Sequence, residues 1–329
     1  MHGRASHSKG SFRSRRFFIA CCALAGLLVA LATADRAASS AATTLEVGGE
    51  EIEVEFADET AAPLKRALLD HIERAACAVS AYYGRFPVRH YRILIVPVAA
   101  RAGVLSGTTW GYGGPHSRIL VGEETKAAQL RNDWVFTHEM VHTAFPDLPD
   151  QNRWIEEGIA TYVEPLARSW VGDYPPAQVW ADLVAGLPKG LPAAGDEGLD
   201  HTHTWGRTYW GGAMFCTLAD VGIRRRTGNQ RGLIDALRAI LQASGGIEAN
   251  WKPEQAFKVG DSAVGVPVLE ELYGRMRANA VKPDLQQLWQ QLGVNVGSSV
   301  SFDASAPEAS IRRAISEPPP DPERACIQA

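Results

Sequence analysis

The sequence predicts an α+β fold, in which a small mixed β-sheet lobe carrying one helix is followed by a mostly α-helical lobe. Three observations carry this. Strand-like segments, either alternating or short and wholly apolar, end by Gly122. One long helical stripe, Ala62 to Tyr83, lies among them. From Asp150 onward the apolar residues recur with helical spacing. Strands followed by a run of helices is the α+β pattern.

In chain order, residues 35–44, rich in Ala, Ser and Thr, read as a linker. Leu45 to Phe56 alternates around Gly48-Gly49, with Ile52, Val54 and Phe56 facing one way, as in a hairpin. Leu64, Leu68, Ile72, Ala76 and Val79 give Ala62–Tyr83 its helical face. Arg92–Pro97 is a buried strand, and Ser106–Gly122 a turn-rich hairpin closing on the strand Arg118–Val121. Two helices, Asp133–Phe145 and Arg153–Val163, flank the turn Pro146–Asp150. Trp170–Gly195, rich in Pro, Gly and Trp, is placed as a wall of the cleft. Tyr209–Arg226, Gly232–Ala243 and Pro267–Ala278 have helical spacing. Glu317–Pro322 is too proline-rich to pack and is expected to be disordered. The expected domains are therefore an export signal (1–34), a linker (35–44), an α/β lobe (45–125), a helical lobe (126–296) and a C-terminal extension (297–329).

The chemistry is concentrated in the first of the paired helices. His138-Glu139-x-x-His142 puts two imidazoles one turn apart on one helix face, the spacing that suits two ligands of a single zinc ion. Trp134, Val135, Phe136, Met140, Val141 and Ala144 make this helix apolar on most sides, so it is expected to be buried all round. Buried His and Glu side chains need partners, and a metal satisfies all three at once. Fourteen residues then separate His142 from Glu157, enough for a turn and a returning helix. His138, His142 and Glu157 would hold Zn2+ with a fourth position open for water.

The motif His138-Glu139-x-x-His142, followed by Trp154-x-x-Glu157-Gly158-x-Ala160-x-Tyr162, resembles the gluzincin metallopeptidases, the group of thermolysin and aminopeptidase N. Tyr209-x-x-Gly212-Ala213 resembles their downstream Tyr motif, although Gly211 stands where a Lys is usual. Leu218-Ala219-Asp220, Leu233-Ile234-Asp235 and Asp284-Leu285 look like the glycyl-aminopeptidase-like branch, so the similarity runs from roughly Ile119 to Val294, the catalytic domain only. The resemblance implies the zinc site in a cleft between the two lobes, Glu157 as third ligand, Glu139 as general base and Tyr209 as oxyanion stabiliser. It implies peptide-bond hydrolysis, with a peptide or protein as partner. It also implies an edge strand, at Thr108–Pro115, on which extended peptide adds. Two departures matter: Glu156 replaces the Asn of aminopeptidase N relatives, and no Glu in Thr108–Pro115 matches the one that grips a substrate amine. Amino-terminal trimming and internal cleavage therefore both stay open. Asp220, Thr161 and Glu164 are candidates to orient the imidazoles. His203 is either a proton donor or a surface residue, and Arg207 either meets a substrate carboxylate or forms a structural ion pair. The alternative reading is a catalytically silent zinc-binding peptide-recognition module or a structural envelope protein.

Composition is that of an ordinary globular chain: 329 residues, 46% hydrophobic and 21% charged, with a net charge of −4. No basic patch lies outside the amino terminus, which argues against nucleic acid as a partner. Arg13, Arg15 and Arg16 precede an apolar run, Phe17–Ala32, and a small-residue site at Ala32-Thr33-Ala34, as in an export signal. Ser14–Ile19 also resembles a twin-arginine sequence. The expected location is periplasmic or secreted, with a retained membrane anchor as the alternative. Cleavage leaves Cys77, Cys216 and Cys326, hence at most one intramolecular disulfide, and core packing is the default for Cys77 and Cys216.

Overall fold

A computed structural model describes residues 42–297 and 299–318, together with residues 321 and 326. The fold is mixed α+β, with a small mixed sheet and a helical part. The expected export signal, and most of the proline-rich tail, lie outside the described residues. Among the described residues no helix is long and apolar enough to cross a membrane.

Strands β1 (Thr43–Val47) and β2 (Glu50–Phe56) form the expected hairpin, with Leu45 opposite Ile52. Gly48 and Gly49 both have positive φ, which a two-residue turn matching the strand twist requires. The first strand thus starts inside the stretch read as linker. Helix α1 (Ala62–Tyr83) follows, buries the predicted Leu64-Leu68-Ile72 face, and stops at left-handed Gly84. Strands β3 (His90–Val98), β4 (Val104–Trp110) and β5 (His116–Gly122) complete a five-stranded sheet in the order β1-β2-β3-β5-β4. The pairs β2–β3 and β3–β5 are parallel, and β4 is the antiparallel strand at one edge.

After a single turn, α2 (Ala127–Leu130), comes the motif helix α3 (Val135–His142). Asp133 starts it: its carboxylate accepts from the backbone N–H of Val135 (3.1 Å) and Phe136 (3.2 Å), and pairs with His71 of α1 at 2.9 Å. Helix α4 (Arg153–Trp170) runs back against α3. Helices α5 (Pro176–Gly186), α6 (Gly212–Arg226), α7 (Leu233–Ser244), α8 (Pro253–Val264), α9 (Val268–Met276) and α10 (Leu285–Leu292) build the rest. Trp154, Phe215, Phe257 and Tyr273 meet at their centre, with ring centroids 5.2–6.3 Å apart. A six-residue π-helical segment, Gly206–Gly211, precedes α6.

Two expectations are corrected. Trp134 is 49% exposed, because the start of α3 opens onto a cavity instead of packing on all sides. Cys77 packs against the core but is not a free thiol: it forms a disulfide with Cys326 (Cα–Cα 5.0 Å), while Cys216 is the buried free thiol of the core. Cys77 sits at the margin of the packed face of α1, and the Cys326 carbonyl accepts from the N–H of Gly48 in the β1–β2 turn, so the two ends meet there. The stretch read as an extension contains strand β7 (Val300–Phe302), paired with β6 (Val294–Val296), and α11 (Ala309–Ser316), whose Ile311 and Ile315 are buried.

Candidate metal centre and its cleft

Two neighbouring helices bring the centre together. His138 and His142 lie one turn apart on α3, ring centroids 5.0 Å apart, and Glu157 reaches them from the second turn of α4. Glu157 Oε2 lies 3.1 Å from His138 Nε2 and 3.6 Å from His142 Nε2. All three ligand-type atoms fall within 4.8 Å of one another. Tetrahedral zinc with bonds of about 2.0–2.1 Å separates its ligand atoms by about 3.4 Å. The donor set, two imidazole nitrogens and one carboxylate oxygen, and its spacing therefore fit a zinc ion. The crossing that makes this possible is glycine-dependent. A Cβ on Gly158 would lie 2.3 Å from the Gly212 backbone, and one on Gly212 would lie 2.1 Å from the Trp154 carbonyl.

Electrostatics favour the ligand-ready state of the carboxylate. Burial acts to raise the Glu157 carboxyl, but hydrogen bonds from the two imidazoles and their charge hold it well below the usual carboxylate range. Its second oxygen, Oε1, is gripped by Arg153, whose Nε and Nη2 both lie 3.1 Å away. Arg153 thus fixes which oxygen faces the histidines, a contact no motif announces. Burial lowers the affinity of His142 for a proton, but Glu157 overrides it and raises the ring to about 9. Burial pushes Glu156 up to about 8, and Asp147 adds to this.

Glu139 and Tyr209 face the same cleft, a cavity of about 240 Å3 that also holds Gly107, Thr108, Thr109 and Trp110 of edge strand β4. The Thr109 hydroxyl donates to Glu139 Oε2 at 2.6 Å. Gly107 leaves room for the Glu139 side chain: a Cβ there would lie 2.5 Å from Glu139 Cγ. Tyr209 stands in the π-helical segment, its ring stacked 6.1 Å from His138. Burial and the charge of Glu157 push its phenol up to about 12, against the pull of Arg153, so it remains a hydrogen-bond donor at neutral pH. At Gly211, the position of the missing Lys, a Cβ would come 2.7 Å from Leu199 Cδ2, a side-chain tip that would have to turn aside.

Other candidates lie elsewhere. Asp220 accepts from Tyr162 and Arg224, and Glu164 from Arg168, so neither orients an imidazole. The Thr161 hydroxyl is buried without a partner among the described residues, so it orients no imidazole. Arg207 is buried and paired with Asp196 at 2.8 Å, the structural alternative, and His203 is exposed outside the cleft.

No family model matches the sequence, and no curated protein matches it. Among solved structures the chain superposes on an aminopeptidase N family protein from Idiomarina loihiensis with a TM-score of 0.56 and 14% identity, over 81% of this chain and 52% of that one. It also aligns with an M1 zinc metallopeptidase from Deinococcus radiodurans, with a TM-score of 0.46 and 16% identity, over 74% of this chain and 52% of that one. The chain thus spans about half the length of these structures. The first likeness shows the fold, which is that expected from the gluzincin-like motifs.

Proposed function

We propose that this chain is an exported, zinc-dependent metallopeptidase, with His138, His142 and Glu157 as zinc ligands and Glu139 and Tyr209 as catalytic residues. One observation carries the reading: of three converging donors, His142 and Glu157 share a cleft with a carboxylate and a protonated phenol, and His138 completes the set from the adjoining cavity. Among the described residues this group has three ligand side chains. That leaves a coordination position open, as in a catalytic site and unlike a structural zinc with four protein ligands.

Zinc, when bound, supplies Lewis acidity that lowers the pKa of a water and polarises a carbonyl. The protein's own groups do the rest. Glu139, held by Thr109, takes the proton of the attacking water and passes it to the leaving amine, acting as base and then acid. Tyr209 donates its hydroxyl proton in a hydrogen bond to the developing oxyanion, a contribution of about 2.7–4 kcal/mol in comparable sites. Strand β4 offers its free edge to an extended peptide across the cleft. The Cys77–Cys326 disulfide supports an oxidising compartment, in keeping with an export signal at residues 1–34.

The test is Glu139→Gln. The variant is expected to keep wild-type zinc content by elemental analysis while peptide hydrolysis falls by about 10²–10⁴-fold. Equal turnover in the two proteins would sink the assignment.

A further inference from the structure

A second cavity, of about 410 Å3, adjoins the metal centre and shares His138 and Tyr209 with it. Its mouth is aromatic. Trp134 meets His138 edge-on at 5.2 Å, and Trp205 stacks on Tyr209 at 5.9 Å. These two indoles are 49% and 62% exposed, and they are two of the five large apolar side chains left exposed among the described residues. Tyr174 and Trp210 line the cavity further. Trp210 is admitted because Gly186 has no side chain: a Cβ there would lie 1.9 Å from the indole.

The cavity also contains charge, but the charge is matched within its own wall. Two acids, Glu164 and Asp182, face two bases, Arg168 and Lys189. Arg168 donates to Glu164 at 2.7 Å and lies 4.7 Å over the Tyr174 ring. Asp182 accepts from the Tyr174 hydroxyl and from Gln178. Lys189 lies 5.4 Å over Trp210. The four charges cancel in sum, so a charged guest would gain little net attraction from the wall and would lose its hydration. A flat apolar ring would meet ring faces and edges.

We infer that this cavity receives an aromatic side chain of the substrate, from a residue flanking the cleaved bond. The inference rests on the peptidase reading, which makes the occupant a substrate residue. It adds a selectivity that neither the motif nor the fold contains.

The test uses the full chain loaded with zinc and a mixed peptide library, with cut positions mapped by mass spectrometry. Phe, Tyr and Trp are expected to be enriched at one fixed position beside the cut, with kcat/KM at least about tenfold above the Ala counterpart. Ala185→Trp, which fills the cavity from its exposed rim, should bring that ratio to near unity. In parallel, saturation-transfer NMR on the Glu139→Gln protein should detect N-acetyl-phenylalaninamide but not the alanine or lysine amides, and Ala185→Trp should abolish the signal. Cleavage without aromatic enrichment, or a ratio unmoved by Ala185→Trp, overturns the cavity assignment and leaves the peptidase reading standing. Absence of any cleavage overturns the peptidase reading. If the phenylalanine amide still binds and Ala185→Trp still removes it, the cavity stands as an aromatic ligand site. If it does not bind, both fall.

Discussion

Thr109 has one hydroxyl proton and several acceptors in reach. Its Oγ1 lies 2.6 Å from Glu139 Oε2 and 2.5 Å from Ser117 Oγ, and Ser117 in turn contacts the Tyr91 hydroxyl. An ionised Glu139 can only accept, so Thr109 donates to it, Ser117 to Thr109 and Tyr91 to Ser117. Burial raises Tyr91 well above its ordinary value, which keeps the proton at the head of this chain. Thr109→Val should therefore lower kcat about 10–100-fold with little change in KM, by analogy with the loss of other orienting partners. Gly107→Ala should cost about 10²-fold in kcat by displacing the base, with zinc content unchanged by elemental analysis. Of the site, His138, Glu139, His142, Glu157 and Tyr209 were all legible as motif residues, and the structure brings them to one place. Gly107, Thr109 and Arg153 were not. Their importance comes from contacts between a strand and a helix, or from the unused oxygen of a carboxylate, and neither leaves a local pattern.

At the level of elements, hydrophobic spacing located the β1–β2 hairpin and α1 closely, because each has one clearly buried face. Helix α8 escaped it: its buried face is Ala256, Phe257, Gly260 and Val264, too small for a strong apolar stripe. Tyr209–Arg226 read as one ordinary helix, whereas Gly206–Gly211 is π-helical, and Tyr209 within it lines the cleft. Its placement depends on the close approach of Gly158 and Gly212. Gly158→Ala should push α4 away from α6. We expect a loss of about 1–3 kcal/mol in denaturant unfolding together with a fall in kcat. A surface substitution of equal helix propensity, such as Lys258→Arg, should move neither.

On the scale of the whole molecule, the α+β order of strands before helices was readable from composition and period alone, but the closure of the chain on itself was not. The three cysteines beyond the expected signal, of five in the sequence, admit three pairings, and only the packing of α1 beside the β1–β2 turn selects Cys77 with Cys326, 249 residues apart. Such a bond typically contributes about 2–4 kcal/mol. Thermal unfolding with a phosphine reductant should give a lower Tm than without it, and Cys326→Ser should show the lower value under both conditions. Cys216→Ala should retain the reductant effect, since its buried thiol takes no part.

The ring closed by Cys77 and Cys326 encircles, in sequence, all three proposed zinc ligands and both proposed catalytic residues. A protease that nicks any one peptide bond between positions 77 and 326 therefore produces two pieces that stay covalently joined. Damaged molecules would run as a single band without thiol and as a pair of bands with it. A nicked chain would thus keep His138, His142 and Glu157 on covalently joined pieces after the first cut.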